Sequence, residues 1–185
     1  PAIQFGLETA FLDFNADESF VLFPSKFTEG HAKIPINGLV WMGNTDFMNS
    51  QIHSKIASGF DCIKIKIGAL DFDAEFKLLQ SIRQEYDANT IEIRVDANGA
   101  FSPDEALEKL KRLSDLQLHS IEQPIAANQQ EAMREVCALS PLPIALDEEL
   151  IGCFDKADRA ALLDKIKPQY IILKPTLLGG FKSCE

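Results

Sequence analysis

The sequence has no long apolar run, few cysteines and no cluster of basic residues. Its longest apolar runs, such as residues 170–173, fall far short of the roughly 20 residues that a membrane span needs. The formal charge is −10, from 18 basic and 28 acidic residues, and the scattered basic residues offer no stripe for phosphates. We therefore expect no membrane or nucleic-acid partner and, because no basic-then-apolar leader opens the chain, a cytoplasmic protein.

The cysteines are equally uninformative about redox chemistry. None of the four, Cys62, Cys137, Cys153 and Cys184, belongs to a CxxC pair. In a domain of this size, such cysteines are expected to be free or buried thiols and not a disulfide framework. The remaining composition, 46% apolar and 25% charged, is that of an ordinary globular domain.

What the sequence does have is a repeated alternation of short β-rich and amphipathic segments. A helix is predicted over residues 1–14, where apolar residues recur at helical spacing, and an irregular connector runs to residue 33. Six strands are then predicted, at 38–42, 62–67, 91–96, 120–123, 144–147 and 170–174. Helical patterns separate them, and the clearest start signal is Ser102-Pro103-Asp104-Glu105, a predicted capping box. This alternation predicts parallel strands joined by right-handed crossovers.

The charged residues that end these strands favour a barrel over an open sheet. They are Lys66, Asp96, Glu122, Asp147 and Lys174, at intervals of 30, 26, 25 and 27 positions. An eightfold β/α barrel averages about 31 residues per unit, although a doubly wound sheet could show the same rhythm. In a barrel the carboxyl ends of all strands converge on one mouth. This convergence explains why each of these strands ends in a polar residue. We expect an α/β fold: an incomplete (β/α) barrel with about six strands, and two more strands beyond residue 185.

Lys64 and Lys66 alternate with isoleucines and therefore share one face of the second strand. In isolation, a half-exposed antiparallel strand with a solvated lysine face is the better interpretation of this motif. The polar ends of the following strands reverse that preference. Both lysines are then expected to point into the mouth of the barrel.

Asp96, Glu122 and Asp147 end three consecutive strands. A single acid in such a place is more often a helix cap or a solvated residue. Three together would repel one another unless a cation lay among them, and all-oxygen ligation suits Mg²⁺, with Mn²⁺ possible. We prefer Asp147 to Glu148 as the third ligand, because strand alternation turns Glu148 to the other side.

Lys174 ends the sixth strand, which lies opposite the second strand in an eight-stranded barrel. A small-molecule carboxylate bound to the metal would then lie between lysines. Its α-proton would be acidified by the metal, and a neutral lysine could remove it. Lys64 and the cation are expected to lower the pKa of Lys66 and make it the base.

These strand ends, taken with their neighbours, resemble a known family. The motifs are Lys64-Ile65-Lys66, Asp96-Ala97-Asn98, Glu122-Gln123-Pro124, Asp147-Glu148-Glu149 and Leu173-Lys174-Pro175. In this order the chain resembles the enolase superfamily, in its muconate-lactonizing branch, and most of all the o-succinylbenzoate synthases of menaquinone biosynthesis. The resemblance covers nearly the whole chain.

The resemblance implies a role for each candidate residue. It implies that Asp96, Glu122 and Asp147 bind Mg²⁺. It further implies that Lys66 removes the α-proton and then helps a hydroxyl depart, that Lys174 stabilises the intermediate from the opposite face, and that Lys64 lies by the substrate carboxylate. The implied activity is that of a carbon–oxygen lyase, converting 2-succinyl-6-hydroxy-2,4-cyclohexadiene-1-carboxylate to o-succinylbenzoate. Residues 1–33 would end an N-terminal capping domain and its connector, and residues 34–185 would form part of the barrel.

Two alternatives stay open at this point. A dipeptide epimerase or N-succinylamino acid racemase of the same branch would use Lys66 and Lys174 on opposite faces of one carbon, although residues 37–43 look more like the synthase. A non-catalytic barrel fragment is the other alternative. Gly179-Gly180 before Phe181 could present backbone amides to an anion or could form a simple loop. The oligomeric state is not indicated.

Overall fold

The computed structural model describes residues 1–185, and its strands lie in one parallel sheet. The strands are β1 (Gly38–Val40), β2 (Cys62–Lys66), β3 (Glu92–Asp96), β4 (Ser120–Glu122), β5 (Ile144–Leu146) and β6 (Tyr170–Ile171). The helices are α1 (Ala2–Phe14), α2 (Thr45–Ala57), α3 (Phe72–Glu85), α4 (Pro103–Ser114), α5 (Gln130–Leu139), α6 (Lys156–Ile166), α7 (Pro175–Leu178) and α8 (Phe181–Cys184).

The order of the strands decides between the two sheet types. Each strand pairs with the next one along the chain, from β1 to β6. A doubly wound sheet reverses direction at a switch point, whereas a barrel keeps adding strands at the same edge. The predicted α/β fold of barrel type, with six strands in this chain, is confirmed.

The strands are shorter than predicted, mostly because they end earlier at the carboxyl side. Gln123 has a φ of 39° and so leaves the extended conformation directly after β4. Asp147 follows β5, and Lys174 is the N-cap of α7, whose first residue is Pro175. Asp147 and Lys174 therefore lie just beyond the strands that they were predicted to end, where the chain has begun to turn.

The chain forms two compact units. One comprises residues 36–149 and 161–172 and contains the whole sheet. Its core includes the strand residues Ile63, Ile65, Ile93, Val95 and Ile121, which are all fully or almost fully buried. Since Ile63 and Ile65 are buried while the lysines between and after them are only half-buried, the predicted alternation along β2 is confirmed.

Helix α4 begins where its capping signal predicts, but the predicted side-chain cap does not form. Ser102 is its N-cap and Pro103 its first residue, as predicted, but no side-chain bond caps the backbone. The Ser102 hydroxyl instead lies 3.0 Å from the Glu105 carboxylate, so the predicted capping box is wrong in its hydrogen bonds. The helix is anchored by burial of Ala106, Leu110 and Leu113 at helical spacing.

The other unit comprises residues 1–35, 150–160 and 173–185. In it, Glu8 of α1 accepts hydrogen bonds from the backbone N–H of Phe181 at 2.5 Å and of Lys182 at 2.9 Å. Gly180 has a φ of 120°, and a Cβ there would collide with the Glu8 carboxylate. The anion that binds next to the Gly179-Gly180 segment is therefore the Glu8 carboxylate. The assignment of residues 1–33 to a capping domain stays a prediction.

The thiols agree with the expectation from composition. All four cysteines are free. Burial raises the pKa of Cys137 to about 12, and burial together with a hydrogen bond to Glu92 raises the pKa of Cys62 to about 11, so both are weak nucleophiles. No helix combines the length and the apolar character that crossing a bilayer requires.

Replacing Glu8 should destabilise the fold. Glu8→Ala removes the charged acceptor of two backbone N–H groups, and we expect the free energy of unfolding to fall by about 1–3 kcal/mol. Urea denaturation followed by circular dichroism measures the change. Glu18→Ala, at an exposed acid of the same segment, is the control. Equal midpoints for wild type and Glu8→Ala would contradict the proposed anchoring.

Candidate active site

Three of the candidate residues form a row across neighbouring strands. Lys66, Asp96 and Glu122 are the last residues of β2, β3 and β4. The parallel register pairs Lys66 with Asp96 and Asp96 with Glu122. Because paired positions of a sheet point to the same side, these three side chains lie next to one another at the carboxyl ends of the strands.

The two lysines of β2, Lys64 and Lys66, form ion pairs with the buried acids Asp96 and Glu122. Lys64 Nζ lies 3.0 Å from Asp96 Oδ2 and 2.5 Å from Glu122 Oε2. Lys66 Nζ lies 2.9 Å from the same Asp96 oxygen. The Asp96 side chain is 1% exposed, and a buried carboxylate without a cationic partner is strongly destabilising. The lysines therefore supply positive charge that favours the ionised form of Asp96 and partly offsets the burial of Glu122.

Asp147 joins this group from the segment after β5. It is buried, and the proximity of its carboxyl group contributes to the raised pKa of Glu122. The structure thus brings together the acids of three consecutive strands, in the order Asp96, Glu122 and Asp147. Their service as metal ligands stays a prediction.

The acids differ in their protonation behaviour. Burial raises the pKa of Glu122 to about 7, which the hydrogen bond from Lys64 opposes, and the charge of Asp96 and the proximity of Asp147 add to the rise. Burial also acts on Asp96, but hydrogen bonds from Lys66 and Lys64 outweigh it and hold the pKa of Asp96 below its usual value. Desolvation would lower the pKa of Lys64, yet its bonds to Glu122 and Asp96 raise it overall. Glu122 is therefore the acid whose charge is least compensated.

The donor set fits a hard divalent cation by its chemistry. No group of three or more His, Cys, Asp or Glu side chains is placed so that it could hold one metal ion. Lys64 and Lys66 contact the acid oxygens instead. Carboxylates are nonetheless the ligands that Mg²⁺ and Mn²⁺ prefer. Burial and the neighbouring acids raise the pKa of Glu122, so added positive charge beside it would favour its ionised form.

Glu148 lies closer to the site than predicted. Its Oε1 accepts a hydrogen bond of 2.8 Å from Asn98 Nδ2, and Asn98 Oδ1 in turn accepts one of 2.6 Å from Lys66 Nζ. The prediction that Glu148 turns away is wrong, because β5 ends at Leu146 and strand alternation no longer applies two residues later.

Gln123 is a supporting residue that sequence reasoning missed. It is fully buried, and its Oε1 accepts from the backbone N–H of Asp147 at 3.1 Å and of Glu149 at 3.3 Å. Its Nε2 donates to the carbonyl of Ile125. One amide thus ties the segment after β5 to the segment after β4. The sequence signal that could have indicated this role is the position of Gln123 between Glu122, which ends a strand, and Pro124.

Glu75 supports the segment after Lys66. Its carboxylate is buried and accepts hydrogen bonds of 2.8–3.1 Å from the backbone N–H groups of Gly68, Ala69 and Leu70. An acid in the first turn of a helix such as α3 is ordinary in a sequence. No sequence signal therefore distinguished Glu75 from its exposed neighbours.

Lys174 belongs to the other compact unit, where it is the N-cap of α7. Its predicted position opposite Lys66, and the predicted lowering of the pKa of Lys66, stay predictions.

The fold and the row of amines and acids define a class of protein. A family model described as "Enolase C-terminal domain-like" matches residues 48–185. The chain belongs to this family, and the sequence-based resemblance to the enolase superfamily is confirmed.

Three relatives make the comparison more specific. The o-succinylbenzoate synthase of Desulfotalea psychrophila is 56% identical over 98% of this chain and 49% of its own length. The crystal structure of MenC from that organism has a TM-score of 0.88 at 55% identity and covers 96% of this chain and 49% of that one. The hydrophobic dipeptide epimerase of Enterococcus faecalis is 32% identical over 68% of this chain and 34% of its own length.

A more distant structure shares the fold. The o-succinylbenzoate synthase of Thermosynechococcus elongatus, solved with Mg in its active site, has a TM-score of 0.80 at 22% identity, over 100% of this chain and 53% of that one. This chain spans about half the length of the o-succinylbenzoate synthases it matches.

Replacing Gln123 should loosen the site. Gln123→Leu keeps the side chain's approximate size but leaves two buried backbone N–H groups without an acceptor, and we expect unfolding to become easier by on the order of 3 kcal/mol. Urea denaturation measures this, with Gln80→Leu on the exposed side of α3 as the matched control. An unchanged midpoint in Gln123→Leu would show that the amide does not hold Asp147 and Glu149.

Proposed function

We propose that the protein carrying this chain is a lyase that converts 2-succinyl-6-hydroxy-2,4-cyclohexadiene-1-carboxylate to o-succinylbenzoate, a step of menaquinone biosynthesis. The observation that carries this proposal is the 56% identity to an o-succinylbenzoate synthase over 98% of the chain. The geometry supports the same reaction class, because Lys66, Asp96 and Glu122 lie side by side at the carboxyl ends of neighbouring strands, where barrel enzymes of this type have their active sites.

The proposed cofactor is Mg²⁺, with Mn²⁺ as a substitute, held by Asp96, Glu122 and Asp147. Its support is the buried oxygen donor set, the raised pKa of Glu122 and the Mg reported for one related synthase. When bound, such a cation would stabilise negative charge on the substrate carboxylate as the α-proton leaves.

Lys66 is the proposed base. Its Nζ takes the proton from the ring carbon that bears the carboxylate, and the electron pair of that C–H bond forms the new ring double bond as the C–O bond to the neighbouring hydroxyl breaks. The same proton, returned by Lys66, leaves with the hydroxyl as water. Lys64 would neutralise the substrate carboxylate, and Lys174 would stabilise the intermediate from the opposite face, as the resemblance implies.

The rival within the family is an epimerase or racemase, favoured by the 32% identity to a dipeptide epimerase. It would need Lys66 and Lys174 as two bases. A non-catalytic barrel fragment is the remaining alternative. A small-molecule carboxylate as substrate is part of the proposal, and a cytoplasmic location stays a prediction.

Lys66→Ala in the complete gene product should abolish synthesis of the aromatic product. We expect a loss of about 10³-fold, because general base catalysis contributes 10²–10⁴-fold. Ultraviolet absorbance follows product formation, and Lys77→Ala, at an exposed lysine of α3, serves as the control. Activity that persists in Lys66→Ala with a native circular dichroism spectrum would refute the base assignment. Exchange of the α-proton in D₂O with inversion, without product, would favour the epimerase.

Metal binding can be measured apart from catalysis. After treatment with EDTA, adding Mg²⁺ should raise the unfolding temperature, since a ligand at 100 times its Kd stabilises the folded state by about 2.7 kcal/mol. Asp96→Asn and Asp147→Asn should lose most of this rise, and Asp104→Asn, in the first turn of α4, should keep it. Equal rises in all variants would argue against these ligands.

A further inference from the structure

We propose that Asn98 and Glu148 form a positioning pair that fixes the direction in which the Lys66 amine faces its substrate. This inference rests on the proposed role of Lys66 as a base. Neither residue needs to touch the substrate or exchange a proton for it.

The pair is a continuous chain of short contacts. Lys66 Nζ lies 2.6 Å from Asn98 Oδ1 and 2.9 Å from Asp96 Oδ2. Asn98 Nδ2 then donates to Glu148 Oε1 at 2.8 Å. The other carboxylate oxygen of Glu148 is buried without a hydrogen-bond partner, so the amide of Asn98 is the group on which this acid acts.

A neutral primary amine has two N–H bonds and one lone pair in a tetrahedral arrangement. Lys66 is placed to donate one N–H to Asp96 and the other to Asn98. With both donors engaged, its lone pair is left to the remaining direction, away from the row of acids. A lysine with only one acceptor could rotate about its last bond and spread the lone pair over many directions. Asn98 therefore supplies the second hydrogen bond, which fixes the direction of the Lys66 lone pair.

Glu148 decides which end of the amide faces Lys66. A carboxylate only accepts hydrogen bonds, so it binds the NH₂ end of Asn98 and leaves the carbonyl oxygen for the amine. Without Glu148, the amide could turn its NH₂ towards Lys66. The NH₂ group would then donate to the lone pair of the neutral amine, and the lone pair would no longer be available to the substrate.

The backbone keeps this amide in place. Asn98 has a φ of 44°, a left-handed conformation that asparagine adopts more readily than most residues. Its N–H donates to Asp96 Oδ1 at 3.1 Å, and the next residue, Gly99, donates to the carbonyl of Gln123 at 2.7 Å. A Cβ at Gly99 would lie 2.8 Å from Ala126 Cα, so this turn is closely packed.

The test compares Asn98→Ala, Glu148→Ala and Glu148→Gln in the complete gene product. We expect kcat to fall by about 10- to 100-fold in both alanine variants, since misplacing a reacting group by an ångström has effects of that size, while KM changes by less than about threefold. Glu148→Gln should recover most of kcat, because a glutamine carbonyl can still accept from Asn98. Asn89→Ala and Glu135→Ala, at exposed positions away from the row, are the controls.

Each result bears on the pair. Wild-type kcat in either alanine variant would overturn the proposal, and so would a loss in KM alone or a Glu148→Gln variant as poor as Glu148→Ala. Unfolding temperatures identify any variant whose loss is merely structural, and a loss of kcat that follows a loss of fold also counts against positioning. If the wild type makes no o-succinylbenzoate, the proposed substrate is wrong. The pair is then judged by the same variants on exchange of a substrate α-proton in D₂O.

Discussion

The need to bury several like charges at one end of a sheet governs this structure. The parallel register puts Asp96 beside Glu122, and the carboxyl group of Asp147 is close enough to Glu122 to contribute to its raised pKa. Acids so close together and so little exposed would be protonated or would destabilise the fold unless cations met them. Two lysines from the adjacent strand do so at 2.5–3.0 Å. The alternation of lysine and isoleucine in β2 is thus a requirement of the acids as much as of the reaction.

The compensation is uneven, and the unevenness matters for chemistry. Asp96 accepts from both lysines, which keeps its pKa low. Burial raises the pKa of Glu122, which has one lysine partner, and its two acidic neighbours add to the rise. A divalent cation would lower the cost of ionising Glu122 most. It would also take over part of the charge compensation that Lys64 gives Glu122 at 2.5 Å, since a metal and an ammonium compete for the same carboxylate charge.

The sequence predicted the strand order, the face of the lysines and the row of acids because each depends on local periodicity and on what ends a strand. It did not predict Gln123, Glu75 or the partner of Glu148. Those groups act through hydrogen bonds from side chains to turns, and the turns depend on backbone conformations such as the positive φ of Gln123. Strand alternation correctly oriented Lys66 within β2 and failed at Glu148, which lies past the end of β5. The alternation of side chains predicts orientation only for residues within the strand.

Family members that resemble this chain carry out both elimination and epimerisation, as the names of the relatives indicate. Both reactions begin with loss of a proton beside a carboxylate, and they differ in the step after it. Epimerisation must return a proton to the opposite face and so requires a second base. Elimination requires only that a hydroxyl leave from the neighbouring carbon, and the base that took the proton can return it to that oxygen. On the proposed function, the amine held by Asp96 and Asn98 at 2.9 and 2.6 Å would serve both proton transfers of the lyase reaction, so no second base would be required.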